Sequence, residues 1–234
     1  SVYSVVVSPD GKHLYAASYG DNAVAVFSRN QSTGKLTFVE MQQDGVNGVD
    51  GLQYAQSVTV SPGGESVYVA GNGDDAVAVF SRNADTGRLT FLQIVKDGQN
   101  LVDGIDGATC VRVDPTGTHV YVVGVADNAV AAFSRDALTG QLTFVHRLQD
   151  GVGGVDGLDW ARGVAIPADG EHVYAVSQFD AAVVTLDRDT TTGQLTFVEW
   201  LHDSQGGVDG LNYPWGVAVS PEGNQVYVAG YNDD

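Results

Sequence analysis

The chain has 234 residues, is 43% hydrophobic, and carries 29 acidic against 11 basic side chains, a formal net charge of −18. That balance excludes nucleic acid or an anionic membrane as partner, since both demand a basic footprint, and no stretch approaches the ~18 uninterrupted apolar residues of a membrane-inserted helix. A single cysteine, Cys110, excludes an internal disulfide, and a body of this size buries roughly 70–75% of its unfolded surface and folds without one.

Read from the first residue, Ser4-Val5-Val6-Val7 is a strand, not a signal peptide. It ends at Ser8-Pro9-Asp10-Gly11, where proline fixes φ and glycine supplies a positive-φ position. A second strand, His13-Leu14-Tyr15-Ala16-Ala17, closes at Gly20-Asp21-Asn22, and a third, Ala23-Val24-Ala25-Val26-Phe27, alternates small and large residues. Thr33-Gly34 then turns the chain into a fourth, Lys35 to Glu40, so the pattern predicts a four-stranded antiparallel meander.

The same pattern recurs every 53 residues. Thr-Gly-x-Leu-Thr-Phe stands at 33–38, 86–91, 139–144 and 192–197, and a glycine precedes a tyrosine by four at Gly11/Tyr15, Gly64/Tyr68, Gly117/Tyr121, Gly170/Tyr174 and Gly223/Tyr227. A fixed period of this length marks a repeat architecture whose units bury their apolar faces against one another. Four strands in about 53 residues match a propeller blade in size. The sequence thus predicts an all-β fold, a single β-propeller domain over 1–234, with blades 1–53, 54–106, 107–159 and 160–212 and a partial fifth at 213–234. Because the chain stops before the next Ala-Val-Ala-Val-Phe strand, it reads as a piece of a longer array whose open edges invite self-association.

The blocks Ser-Pro-Asp-Gly-x-x-x-Tyr, Asp-Asn-Ala-Val-Ala-Val-Phe and Thr-Gly-x-Leu-Thr-Phe resemble the blades of the lactonase-like β-propeller family along the whole chain. The resemblance implies a propeller, usually of seven blades, and its enzymes look like sugar-phosphate lactonases. Their blades commonly carry His-Pro-His or Asn-Pro-His before the first strand. Here the corresponding stretches are Ala55-Gln56-Ser57, Ala108-Thr109-Cys110, Ala161-Arg162-Gly163 and Pro214-Trp215-Gly216, without histidine.

In a meander the second-to-third hairpins and the long fourth-to-first loops leave from one end, and they hold 17 of the 29 acids, with Arg162 the only base in the long loops. The long loops carry aspartates six apart: Asp44 and Asp50, Asp97 and Asp103, Asp150 and Asp156, Asp203 and Asp209; Asp106 and Asp159 lie nearby. The hairpins add Asp21, Asp74, Asp75, Asp127, Asp180, Asp233 and Asp234. Such pairs in glycine-rich loops are candidate Ca²⁺ ligands, while turn formation by Asp-Gly explains the same residues without a metal.

The loop ends vary most from blade to blade, and since the first strand lines a propeller's channel they should ring its mouth. Tyr54, Trp160, Arg162, Tyr213 and Trp215 are therefore the candidate ligand-binding residues, although large aromatics also serve simply to cover a blade interface. His13, His119 and His172 share a position with Ser66 and Asn224 and read as solvent-facing; Arg29, Arg82, Arg135 and Arg188 should pair with acids of their own hairpins or of the next blade.

Two functions from different classes are consistent with this pattern. Near-identical blades favour a non-enzymatic scaffold or binding module of a larger secreted or cell-surface protein, extracellular, with Ca²⁺ on its acidic face and a protein or carbohydrate partner. The alternative is a lactonase-type hydrolase acting on a sugar lactone in the channel, with Asp156 or Asp159 as acid/base and Arg162 binding an anion. It calls for a basic pocket, which the net charge of −18 disfavours.

Overall fold

The computed structural model describes residues 1–232; Asp233 and Asp234, counted above with the acidic end, lie outside the described residues. The first sheet comprises β1 (Val2–Val7), β2 (His13–Ser18), β3 (Ala23–Arg29) and β4 (Leu36–Gln43), and the second β5 (Ala55–Val60), β6 (Ser66–Gly71), β7 (Ala76–Arg82) and β8 (Leu89–Lys96). The third holds β9 (Ala108–Val113), β10 (His119–Gly124), β11 (Ala129–Arg135) and β12 (Leu142–Gln149), and the fourth β13 (Ala161–Ala165), β14 (His172–Ser177), β15 (Ala182–Arg188) and β16 (Leu195–His202). A two-stranded fifth is made of β17 (Pro214–Val219) and β18 (Val226–Gly230). Each is an antiparallel meander in chain order, the architecture of β-propeller blades, and no helix of the described residues is long and apolar enough to cross a membrane.

The first strands stand side by side, β1 against β5, β5 against β9, β9 against β13 and β13 against β17, so they line the centre. Three apolar clusters form the core, each between two successive blades. This is why β7 and β11, mid-blade in the middle of the array, are buried on both faces, while the outer face of the first blade leaves Val5 and Phe38 each 61% exposed. The recurring Phe of Thr-Gly-x-Leu-Thr-Phe is explained by a bulge repeated in every third-to-fourth pairing, which sets Phe27 against Phe38, Phe80 against Phe91 and Phe133 against Phe144 in edge-to-face contact.

The remaining repeat markers meet in one inter-blade latch. The Tyr15 hydroxyl donates to the Gly87 carbonyl of the next blade at 2.9 Å and accepts from Arg82 Nε of that blade at 2.7 Å. Tyr68 does the same with Gly140 and Arg135, and Tyr121 with Gly193 and Arg188. Burial pushes the Tyr15 and Tyr121 hydroxyls up to about 12, keeping them as donors. Each arginine also reaches back to the preceding blade, Arg82 to Asp10 and Arg188 to Asp114, both at 2.8 Å. The expected pairing with a blade's own hairpin or the next blade is thus corrected: the latch faces backwards. Two of the three histidines expected to face solvent are corrected with it, while the His172 side chain is 40% exposed. His13 and His119 are 3% and 4% exposed, their Nδ1 atoms 2.8 and 2.9 Å from Arg82 and Arg188, because the neighbouring glycines Gly87 and Gly193 leave room for the rings.

Candidate active site in the channel

The innermost strands place one repeat position at the channel wall, filled by Tyr3, Gln56, Thr109, Arg162 and Trp215. Where the outer strands repeat nearly letter for letter, this ring carries a different chemistry on each blade. Together with Cys110 and Arg112 it lines a cavity of about 170 Å³. Cys110 is buried, as expected for a small strand residue.

Five of the eight arginines pair with carboxylates: Arg82, Arg88, Arg135, Arg147 and Arg188. Arg112 and Arg162 do not, among the described residues, and both face the channel. Arg162 donates from Nε to Gln178 Oε1 at 3.0 Å, and its guanidinium carbon lies 4.8 Å from the centre of the Trp215 ring and 5.8 Å from that of Trp160. These contacts orient the cation without neutralising it, and burial lowers its pKa from the ordinary arginine value. Arg112 Nη1 donates to Ser57 Oγ at 3.2 Å and to the Val111 carbonyl at 2.9 Å. Two half-buried positive charges lining one cavity attract an anion more strongly than fully solvated ones.

A wider cavity of about 440 Å³ forms the mouth, lined among others by Tyr19, Asn72, Asp75, Asp106, Trp160 and Arg162. Aromatics flank it on two sides. Tyr19 stacks between Tyr3 and Tyr54, at 5.0 and 4.7 Å, and Phe179 stacks on Trp160 at 4.9 Å with Tyr213 edge-on at 6.1 Å. Tyr54, Trp160 and Tyr213 all adopt left-handed backbone, with φ of 53°, 58° and 53°. The structure brings Trp160, Arg162 and Trp215 together at the channel; Tyr54 and Tyr213 stand in the outer part of the aromatic walls.

Asp75 and Asp106 were not singled out for chemistry, yet they line the same cavity as Arg162. Burial, then the Asp75 charge, pushes the Asp106 carboxyl up to about 6. Asp156 and Asp159, the sequence choice for acid/base work, line neither cavity that Arg162 lines. Arg112, Tyr3 and Gln56 were also missed. The signal that could have found them is departure from the repeat: Arg112 stands where the other blades have Val6, Thr59, Ala165 and Ala218.

The six-apart aspartates occupy loops at the same end of the body. Three of the four pairs are joined by a third carboxylate from a hairpin, giving Asp44, Asp50 and Asp74, then Asp97, Asp103 and Asp127, then Asp150, Asp156 and Asp180. Asp203 and Asp209 have no such third partner among the described residues. Most of these groups hold backbone: Asp44 accepts from the Leu52 amide, Asp97 from Ile105, Asp150 from Leu158 and Asp203 from Leu211, each at 2.9–3.1 Å. Asp74, Asp127 and Asp180 accept the amides of Gln53, Asp106 and Asp159.

The profile of the family described as lactonase, 7-bladed beta-propeller, matches residues 3–102 and 106–234. The 6-phosphogluconolactonase of Pectobacterium carotovorum subsp. carotovorum is 25% identical over 97% of this chain and 63% of its own length. The Bacillus subtilis 6-phosphogluconolactonase is 33% identical over 38% of this chain and 24% of its own. The solved periplasmic gluconolactonase of Pseudomonas aeruginosa superposes on 99% of this chain and 63% of its own with a TM-score of 0.78 at 24% identity. The chain therefore spans less than two thirds of the length of these relatives.

These matches correct the expectation of a non-enzymatic scaffold: the matching family and the relatives named above are lactonases. A net charge of −18 does not describe the channel, because the acids lie largely in loops while the channel holds two arginines without carboxylate partners among the described residues. Near-identical blades are compatible with an asymmetric site, because the departures from the repeat gather at the channel wall and its mouth.

Proposed function

We propose, from the premise that this chain belongs to the seven-bladed lactonase β-propeller family, that it hydrolyses a sugar lactone in the central channel. The observation that carries the reading is the pair of channel arginines without carboxylate partners among the described residues. Water adds to the lactone carbonyl carbon and gives up a proton to solvent, negative charge gathers on the carbonyl oxygen, and the ring C–O bond breaks as the ring oxygen takes up a proton, leaving a hydroxy acid. Arg162, held by Gln178 and the two tryptophans, stabilises the developing oxyanion, and Arg112 adds to the positive potential that draws in an electron-rich ligand. The periplasmic setting of the Pseudomonas neighbour is compatible with an extracellular location.

The test is hydrolysis of glucono-1,5-lactone and its 6-phosphate, followed by proton release. Arg162→Gln should lower kcat by roughly 10²-fold, the usual loss on removing one oxyanion donor, with thermal stability close to wild type. A variant with unchanged kcat, or a wild-type protein inert towards both lactones, would sink the reading.

A further inference from the structure

Blade 3 departs from the repeat where it borders the mouth. At the position of Tyr54, Trp160 and Tyr213 it has Gly107, with the same left-handed φ, +66°, so the aromatic wall opens there. The residue before it is Asp106. The amide of Gly107 is held at 3.0 Å by Asp75 Oδ1, whereas the equivalent amides of Tyr54 and Trp160 are held at 2.9 Å by the side-chain oxygens of Asn22 and Asn128. Asparagine therefore satisfies the backbone in two blades, and Asp75 adds a negative charge that the turn does not need. Asp106 lines the same cavity, and like charges repel, so the fold alone gives no reason for the Asp75 charge.

The opening is lined by Asp75, Asp106, Asn72 and Gln56, with the Trp160 ring and the Arg162 guanidinium beside them. Carboxylates and amides facing an aromatic plane match a polyhydroxylated ring: hydroxyls donate to the carboxylates, and the C–H face lies on the indole. A phosphoryl group placed there would meet two carboxylates against the single guanidinium of Arg162.

We propose that Asp75 and Asp106 determine substrate choice at the mouth, binding the hydroxyls of an unphosphorylated sugar lactone and repelling the phosphorylated one. This rests on the lactonase reading. It differs from the named activity of the Pectobacterium and Bacillus relatives, which are 6-phosphogluconolactonases.

The repeat supplies clean variants. Asp75→Asn installs the residue of Asn22 and Asn128, and Asp106→Asn that of Asn212, so each keeps a local side chain already used by the fold. The measurement is kcat/KM for glucono-1,5-lactone and for its 6-phosphate in the wild type, both single variants and the double variant, with melting temperatures alongside. Wild type should prefer the unphosphorylated lactone. The double variant should lose roughly tenfold on it, as expected for lost hydrogen bonds to charged groups, and shift the ratio towards the phosphorylated lactone. Hydrolysis with an unchanged ratio in the double variant would overturn the specificity role while leaving the lactonase reading intact. Wild-type inertness towards both would remove the lactonase reading itself, and this proposal with it.

Discussion

Replacing Arg188 by methionine tests whether the blades are held together by the latch. Arg188 and Asp114 form a 2.8 Å ion pair with both side chains 0% exposed. The same guanidinium donates to the Tyr121 hydroxyl at 2.7 Å and to the Gly170 carbonyl at 2.7 Å, and reaches His119. Burial pushes the Asp114 carboxyl up, but the Thr116 hydroxyl, the His119 amide and the Arg188 charge bring it below the usual aspartate value. Methionine fills much of the arginine's volume and leaves that carboxylate buried without its countercharge, which costs about 3–5 kcal/mol. At about 2–4 °C per kcal/mol for a chain of this size, the melting temperature should fall by roughly 6–20 °C.

The control is Arg88→Met. Arg88 is 60% exposed and pairs at 2.7 Å with Glu40, which is 14% exposed and keeps the Leu89 amide as a donor when the arginine is lost, so removing this solvent-screened cation costs about 1 kcal/mol. Differential scanning calorimetry of both variants decides the matter. A fall for Arg188→Met no larger than that for Arg88→Met would refute the argument. Adding Asp114→Ser, the residue of Ser8 and Ser61 at this position, removes the stranded charge and should restore at least half of the loss.

Two further perturbations address the same interfaces. Burial, and then the arginine charge, lowers the pKa of His13 and His119 below 6.5, so the unfolded chain binds protons that the folded chain refuses. Stability should be full above about pH 6.5 and fall as pH drops below it, by up to about 1.4 kcal/mol per pH unit per histidine; melts from pH 7.5 to 5 should show this slope, and His13→Ser with His119→Ser should flatten it. Gly87→Ala would drive its Cβ into the His13 ring at φ +75°, whereas the equivalent Gly34, at φ +72°, has nothing within 4 Å. Gly87→Ala should therefore cost about 2–4 kcal/mol against about 1 for Gly34→Ala, and equal losses in urea titrations would count against the packing assigned to this glycine.

The sequence by itself determined the blade. A 53-residue period with Pro-Gly, Asp-Asn and Thr-Gly turns at fixed offsets leaves the chain one local solution, and the strands of the first blade begin and end within a few residues of where the pattern puts them. It also marked Arg162, Trp160 and Trp215, because a residue that breaks a repeat stands out against its own copies. The tertiary structure decided which distant copies meet. Tyr15 and Arg82 are 67 residues apart, and neither spacing nor hydrophobicity says that one blade's arginine reaches back to its predecessor's tyrosine. For the same reason His13 looked exposed when read within its own blade, although the next blade buries it. Net charge is a sum over the chain, while the potential at a site depends on the distance and burial of each group. Only the packing of successive blades separates the loop aspartates from Arg112 and Arg162, and sets Asp75 and Asp106 beside the channel mouth.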